Sequence, residues 1–144
     1  MAQLLLVGID NSACCQRSVE YAAELAGAAK ASLLVLHVIE WSPYSFNTAS
    51  ENEVRHKRRE EELQRAYAEL VDPVVALLTA KGLKVEGMVR HGHPAKTLND
   101  IANERGASSI VIGRKGSSRM KAQLFGSVPS TLVQIADIPV TVVP

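Results

Sequence analysis

The sequence predicts a Rossmann-like α/β domain: a doubly wound, five-stranded, mainly parallel sheet with helices on both faces. Three observations carry that expectation. Five short strand-length runs recur along the chain, most of them unbroken aliphatic stretches like a strand buried on both faces. A stretch of helical periodicity separates each run from the next, giving the order β-α-β-α-β-α-β-α-β. The chain has 144 residues and no internal repeat, low-complexity tract or linker, so residues 1–144 are expected to form a single domain around one core.

The first run is "LLLVGI" (4–9). "SACCQRSVEYAAELAGAAK" (12–30) then sets Cys15, Val19, Ala22 and Ala26 on one helical stripe. "SLLVLHVI" (32–39) is the second strand, followed by a polar loop containing Pro43. In the long helical segment after it, Leu63, Tyr67, Leu70, Val74, Leu77 and Leu78 keep the three-or-four spacing of one apolar face. Pro73 should bend or interrupt that helix, and Gly82 should end it. "KVEGMVRH" (84–91) alternates like a half-buried strand. "HPAKTLNDIANERG" (93–106) is a short helix with Pro94 in its first turn and Gly106 just past its end. "SSIVIG" (108–113) is the fourth strand, 127–136 the fourth helix and "IPVTVVP" (138–144) the fifth strand.

Composition narrows the function. Hydrophobic residues make up 47% and aromatic residues 4%, so the core should be aliphatic. A formal net charge of +1 argues against global attraction to nucleic acid or an anionic membrane, so charge-driven binding must be local. Two adjacent cysteines, Cys14 and Cys15, offer neither a disulfide framework nor a four-cysteine zinc site. The opening "MAQLLLVGID" has no basic n-region, and no window approaches the ~20 apolar residues of a membrane span. A cytoplasmic protein without a membrane span is the expectation.

In open parallel sheets, ligands bind beyond the carboxyl ends of the strands, where the winding reverses. The residues there are Asp10 after the first strand, Val38 to Glu40 after the second, His91 to His93 after the third and Gly113 onward after the fourth. The fourth end is the richest: "GRKGSSRMKAQLFGS" (113–127) holds three glycines, four basic residues and three serines. Gly113 and Gly116 let backbone N–H groups approach an anion with no Cβ in the way. Gly126 and Ser127 open a helix whose free N–H groups and dipole favour negative charge. Arg114, Lys115, Arg119 and Lys121 add cations between them. The pattern reads as a phosphate cradle. The plainer alternative is a solvated surface loop with a glycine helix cap.

The spacing Gly113-x2-Gly116-x9-Gly126-Ser127 resembles the nucleotide-binding signature of the universal stress protein family. The resemblance extends over the whole chain, through "LLLVGIDNS", "LHVI", "GHPAKTLNDIANERGASSIVIG" and "ADIPVTVV". It implies an ATP-binding member, with or without magnesium. By that resemblance Asp10 would bind ribose hydroxyls and Val38 would meet adenine. Gly113, Gly116, Gly126 and Ser127 would hold the phosphates, with Arg114, Arg119 and Val128 completing the nucleotide-binding set. It also places the final strand, residues 138 to 143, at a homodimer interface, with higher assembly if ATP orders the 113–127 loop. The chain departs from the family in having Asn11 where glycine is usual, and in Pro129, which cannot donate an N–H to a phosphate.

Other motifs carry less. "GHPAKT" (92–97) lacks the second glycine of a P-loop, Ala95 standing in its place. His91 and His93, with His37 elsewhere, have no acidic or cysteine partner nearby in sequence, so no metal is assigned. Cys14 and Cys15 point about 100° apart on a helix, which makes at least one a small core residue. "RHKRREEELQR" (55–65) mixes both signs without aromatics that could stack on bases, and reads as a solvated helix face. No nucleic-acid partner is expected. No motif supplies a catalytic base, so the leading expectation is a nucleotide-responsive regulatory module acting on another protein. A slow ATPase or phosphotransferase, or an interaction scaffold for which nucleotide is incidental, are the alternatives.

Overall fold

A computed structural model describes residues 3–10, 14–40, 49–114 and 127–144. The strands are β1 (Leu4–Ile9), β2 (Ser32–Glu40), β3 (Val85–Gly92), β4 (Ser109–Gly113) and β5 (Val140–Val143). They form one sheet in the order β3-β2-β1-β4-β5, every neighbouring pair parallel. Between them run α1 (Cys14–Ala29), α2 (Ala49–Ala66), a π-helical turn (Tyr67–Val71), α3 (Asp72–Ala80), α4 (Pro94–Arg105) and α5 (Ser127–Ile135). The expected doubly wound, Rossmann-like architecture is what forms.

Strand alternation divides the core in two. Leu5, Val7, Ile9, Leu33 and Val35 face one side, where Val19, Ala22 and Ala26 of α1 meet Val71 and Leu78. Leu6, Leu34, Leu36, Ile110 and Ile112 face the other, against Ala95, Leu98, Ile101 and Ala102 of α4 and Leu132 of α5. Leu6, Leu34, Leu36 and Ile110 are fully buried. Each such side chain contributes about 1.5–3 kcal/mol of hydrophobic stabilisation, so the central strands hold the molecule together.

Caps follow the sequence. Gly106 takes the left-handed conformation (φ 69°) and its N–H closes α4 onto Ala102 and Asn103. The second helix departs from expectation. Its single apolar stripe is broken by the π turn, in which the Asp72 N–H donates to the Tyr67 carbonyl five residues back. Pro73 is the cause: it has no N–H and its ring would press on the carbonyl four residues earlier. The widened turn removes that conflict and brings Val71 and Val75 onto the face that meets the core. Leu63, Leu70, Val74 and Leu78 of the expected stripe pack on the core, joined by Val71 and Val75, while Leu77, also expected there, is 55% exposed. The turn packs tightly on β3, because Gly87 has no side chain there. A Cβ on Gly87 would lie 2.5 Å from Val71 Cγ1 and 2.9 Å from Val75 Cγ2.

A polar clamp fixes the chain between α5 and β5. Asn99 of α4, which is almost fully buried, donates from Nδ2 to the Ile135 carbonyl (3.4 Å) and to Asp137 Oδ2 (3.4 Å). It accepts from the Asp137 N–H at 3.3 Å, and Asn103 Nδ2 donates to the same carboxylate at 2.8 Å.

Candidate functional site

The sheet opens where its winding reverses. β1 and β4 pair only through Leu5–Ser109, Leu6–Ile110 and Val7–Val111. Beyond that, Gly8 and Ile9 keep only β2 beside them, paired with Leu36 and His37. Ile112 and Gly113 keep only β5, paired with Val142 and Val143. The β1–β4 ladder therefore ends two residues before either strand does, the place where open parallel sheets form their ligand crevice. Leu98 and Ile112 close its floor, approaching to 3.0 and 3.2 Å of where a Cβ on Gly8 would stand.

The predicted residues surround this crevice to different degrees. Asp10 directly follows β1 and Gly113 ends β4, so they stand on its two walls. Val38, near the end of β2, packs into the core on the α4 and α5 side. Since α5 leads back to the amino end of β5, its first turn, with exposed Ser127 and half-buried Val128, also lies at the carboxyl edge of the sheet. Pro129 is buried in that turn. Gly116, Arg119 and Gly126 lie outside the described residues.

Arg114 lies against β5. Its N–H donates to the Val143 carbonyl at 2.7 Å, tying the start of the loop to β5. Its side chain lines a groove of about 690 Å³ with Ser130, Val133, Val140, Val142 and Pro144, and its Nε is buried without a hydrogen-bond partner among the described residues. A guanidinium expected beside phosphate thus belongs, in this conformation, to the β5 edge.

Two side chains near Asp10 were not legible as site residues. His37 Nδ1 lies 2.8 Å from the Ile9 carbonyl; since a carbonyl only accepts, Nδ1 carries the proton and Nε2 faces elsewhere. The half-buried Cys15 thiol receives the Asp10 backbone N–H. Burial pushes this thiol above its ordinary value of 9.0; the Asp10 N–H offsets part of the rise, and the Asp10 carboxylate adds a smaller push upward. The other histidines act locally. His93 caps α4, Nδ1 accepting from the Lys96 N–H at 3.4 Å, and His91 Nε2 donates to the Arg59 carbonyl at 3.3 Å. Among the described residues no group of three His, Cys, Asp or Glu side chains could hold a metal ion. No helix among them is long and apolar enough to cross a membrane.

Comparison with known proteins bears on the family and the fold. The family model described as "Universal stress protein family" matches residues 1–144. The chain is 30% identical to the universal stress protein YxiE of Bacillus subtilis, over 99% of both chains. It is 29% identical to the universal stress protein Rv1996 of Mycobacterium tuberculosis, of which it spans only 47%. Among solved structures, the universal stress protein UspA of Lactobacillus plantarum superposes with a TM-score of 0.83 at 22% identity, covering 99% of this chain and 97% of that one. The universal stress protein of Archaeoglobus fulgidus, solved in complex with dAMP, does so with a TM-score of 0.65 at 24% identity, over 99% and 98% of the two chains.

Proposed function

The chain belongs to the universal stress protein family, and from that premise we propose that it is an ATP-binding, cytoplasmic member that works as a nucleotide-responsive regulatory module. The observation that carries this reading is the early end of the β1–β4 ladder, which leaves Asp10 and Gly113 on opposite walls of one crevice. Two relatives of the same fold are bound to adenine nucleotides, dAMP in one and cAMP in the other, which supports an adenine nucleotide here.

In this reading residues 1–144 act as one nucleotide-binding domain. The Asp10 carboxylate accepts from the ribose hydroxyls, and Val38 offers its backbone and methyls to the base. Gly113, Gly116 and Gly126 allow backbone N–H groups to reach the phosphates, while Ser127 adds a hydroxyl and, with Val128, the free N–H groups of the α5 terminus. Arg119 adds charge, and magnesium, if bound, would sit among the phosphates. Arg114 reaches them only by leaving the groove beside β5. The sequence carries no motif that supplies a general base for water, so the module is read as holding nucleotide rather than turning it over. The same reading includes a homodimer through β5 and an unidentified regulated protein.

The decisive experiment is to release and identify the nucleotide that accompanies the purified protein, then follow one turnover of added ATP. Retention of intact ATP over hours fits a sensor; prompt conversion to ADP would make it an enzyme instead. Gly116→Val or Gly126→Val should lower ATP affinity by more than about tenfold with the circular dichroism spectrum unchanged, since the added methyls block backbone approach. Equal affinity in either variant would remove the phosphate assignment.

A further inference from the structure

Asp10 owes its orientation to the peptide unit before it, and that peptide is held from both sides by side chains. Its carbonyl, belonging to Ile9, accepts from His37 Nδ1 at 2.8 Å. Its N–H, belonging to Asp10, donates to the Cys15 thiol. The two side chains come from different elements: His37 from β2, in register with Ile9, and Cys15 from the first turn of α1. Such a double hold is informative because of where it occurs. The β1–β4 ladder has ended at Val7 and Val111, so on that side β1 no longer has a strand to fix its last peptides. A peptide plane without a ladder on one side can rotate, and the direction of the following Cα–Cβ bond rotates with it. His37 also precedes Val38, so one imidazole lies a single residue from both the ribose and the base contacts proposed above.

We propose that His37 and Cys15 form a clasp on the Ile9–Asp10 peptide, and that both are positioning residues for the ribose of a bound adenine nucleotide. The inference rests on the nucleotide reading of the crevice. Neither side chain needs to touch the ligand; each acts through the plane that aims the Asp10 carboxylate.

Calorimetric titration with AMP and ATP tests it on four variants. His37→Phe keeps a ring and removes the donor; His37→Asn restores an N–H on the atom bonded to Cγ. Cys15→Ala removes the acceptor, and Cys15→Ser restores one. His37→Phe and Cys15→Ala should each weaken AMP and ATP by the same factor, on the order of five- to tenfold, the scale of one hydrogen bond. His37→Asn and Cys15→Ser should recover most of it. In the Asp10→Ala background the His37→Phe loss should vanish, because the residue it acts through is gone. Unchanged affinity in His37→Phe, or a loss that persists in the Asp10→Ala background, overturns the clasp while leaving the nucleotide reading in place. Failure of the unaltered protein to bind either nucleotide removes the reading itself. A ligand-free measurement decides the matter if a variant does not fold. In the unaltered protein, ¹⁵N spectra should show the His37 Nδ1–H tautomer and slow exchange of the Asp10 amide. The Nε2–H tautomer, or rapid exchange of that amide, would refute the clasp.

Discussion

Asp10 follows directly on Ile9, whose pairing with β4 has ended while its pairing with β2 persists, and its carboxylate is assigned to the crevice that opens there. If that carboxylate accepts from ribose, Asp10→Ala should weaken AMP, ADP and ATP alike, by about 1.5–3 kcal/mol for charge-assisted hydrogen bonds. A loss confined to ATP would put the carboxylate near a metal or the phosphates instead. Cys15 beside it gives the fold a measurable alkaline dependence. Burial raises its folded pKa above the ordinary 9.0, so the folded chain keeps the proton to higher pH than the unfolded one. That contribution to stability is intact below the unfolded value and is lost as pH rises through the folded value. Urea denaturation at about pH 8 and about pH 10 should therefore show a smaller alkaline loss in Cys15→Ser, whose hydroxyl does not titrate in this range. The strand-end positions of Asp10, Val38 and Gly113 were legible because each lies at the end of an aliphatic run. His37 and Cys15 were not, because their role depends on the β1–β2 register and on how α1 returns over the sheet. Sequence marked His37 only as a metal candidate, and Arg114 only as a phosphate cation. Neither reading could see the Ile9 carbonyl or the β5 groove.

The π turn shows how one proline sets the packing of a whole layer. The alternation that marks β3 and the helical stripe before it were both readable, and so was a break near Pro73. The widened turn was not, because it depends on which hydrogen bond the chain gives up to admit the ring. The consequence is a close fit between Val71 and Gly87. Gly87→Ala should cost about 1–3 kcal/mol in thermal or chemical denaturation, since β-branched Val71 cannot swing aside. Combining it with Val71→Ala should cost less than the two separate losses added together; strict additivity would show that the two sites do not press on one another. On the opposite face, Asn99→Leu should lose about 1–3 kcal/mol by leaving the Ile135 carbonyl and the Asp137 N–H without their partner.

The whole molecule ends in an exposed margin. β5 has β4 on one side only, and Val140 and Val142 line the groove that also holds Val133, which is 56% exposed. Apolar edges of this kind are normally covered, so Val140→Glu should weaken the proposed homodimer by on the order of tenfold or more, the scale of burying an unpaired charge. Thr141→Glu, whose side chain points to the other face, should matter less. Light scattering at micromolar concentration checks both, and a monomer in the unaltered protein would refute the dimer. Strand order carries a different consequence, for the history of the chain rather than its final state. Ser108 bonds to the Leu4 carbonyl across 104 residues, because the first strand made lies at the centre of the sheet. During synthesis β1 can zip onto β2 early, yet its other flank waits for β4. For most of translation the nascent chain therefore carries a sticky, hydrophobic ribbon with one side unsealed. A fragment stopped at residue 107 should precipitate or bind chaperones, whereas one extended through β4 should remain in solution.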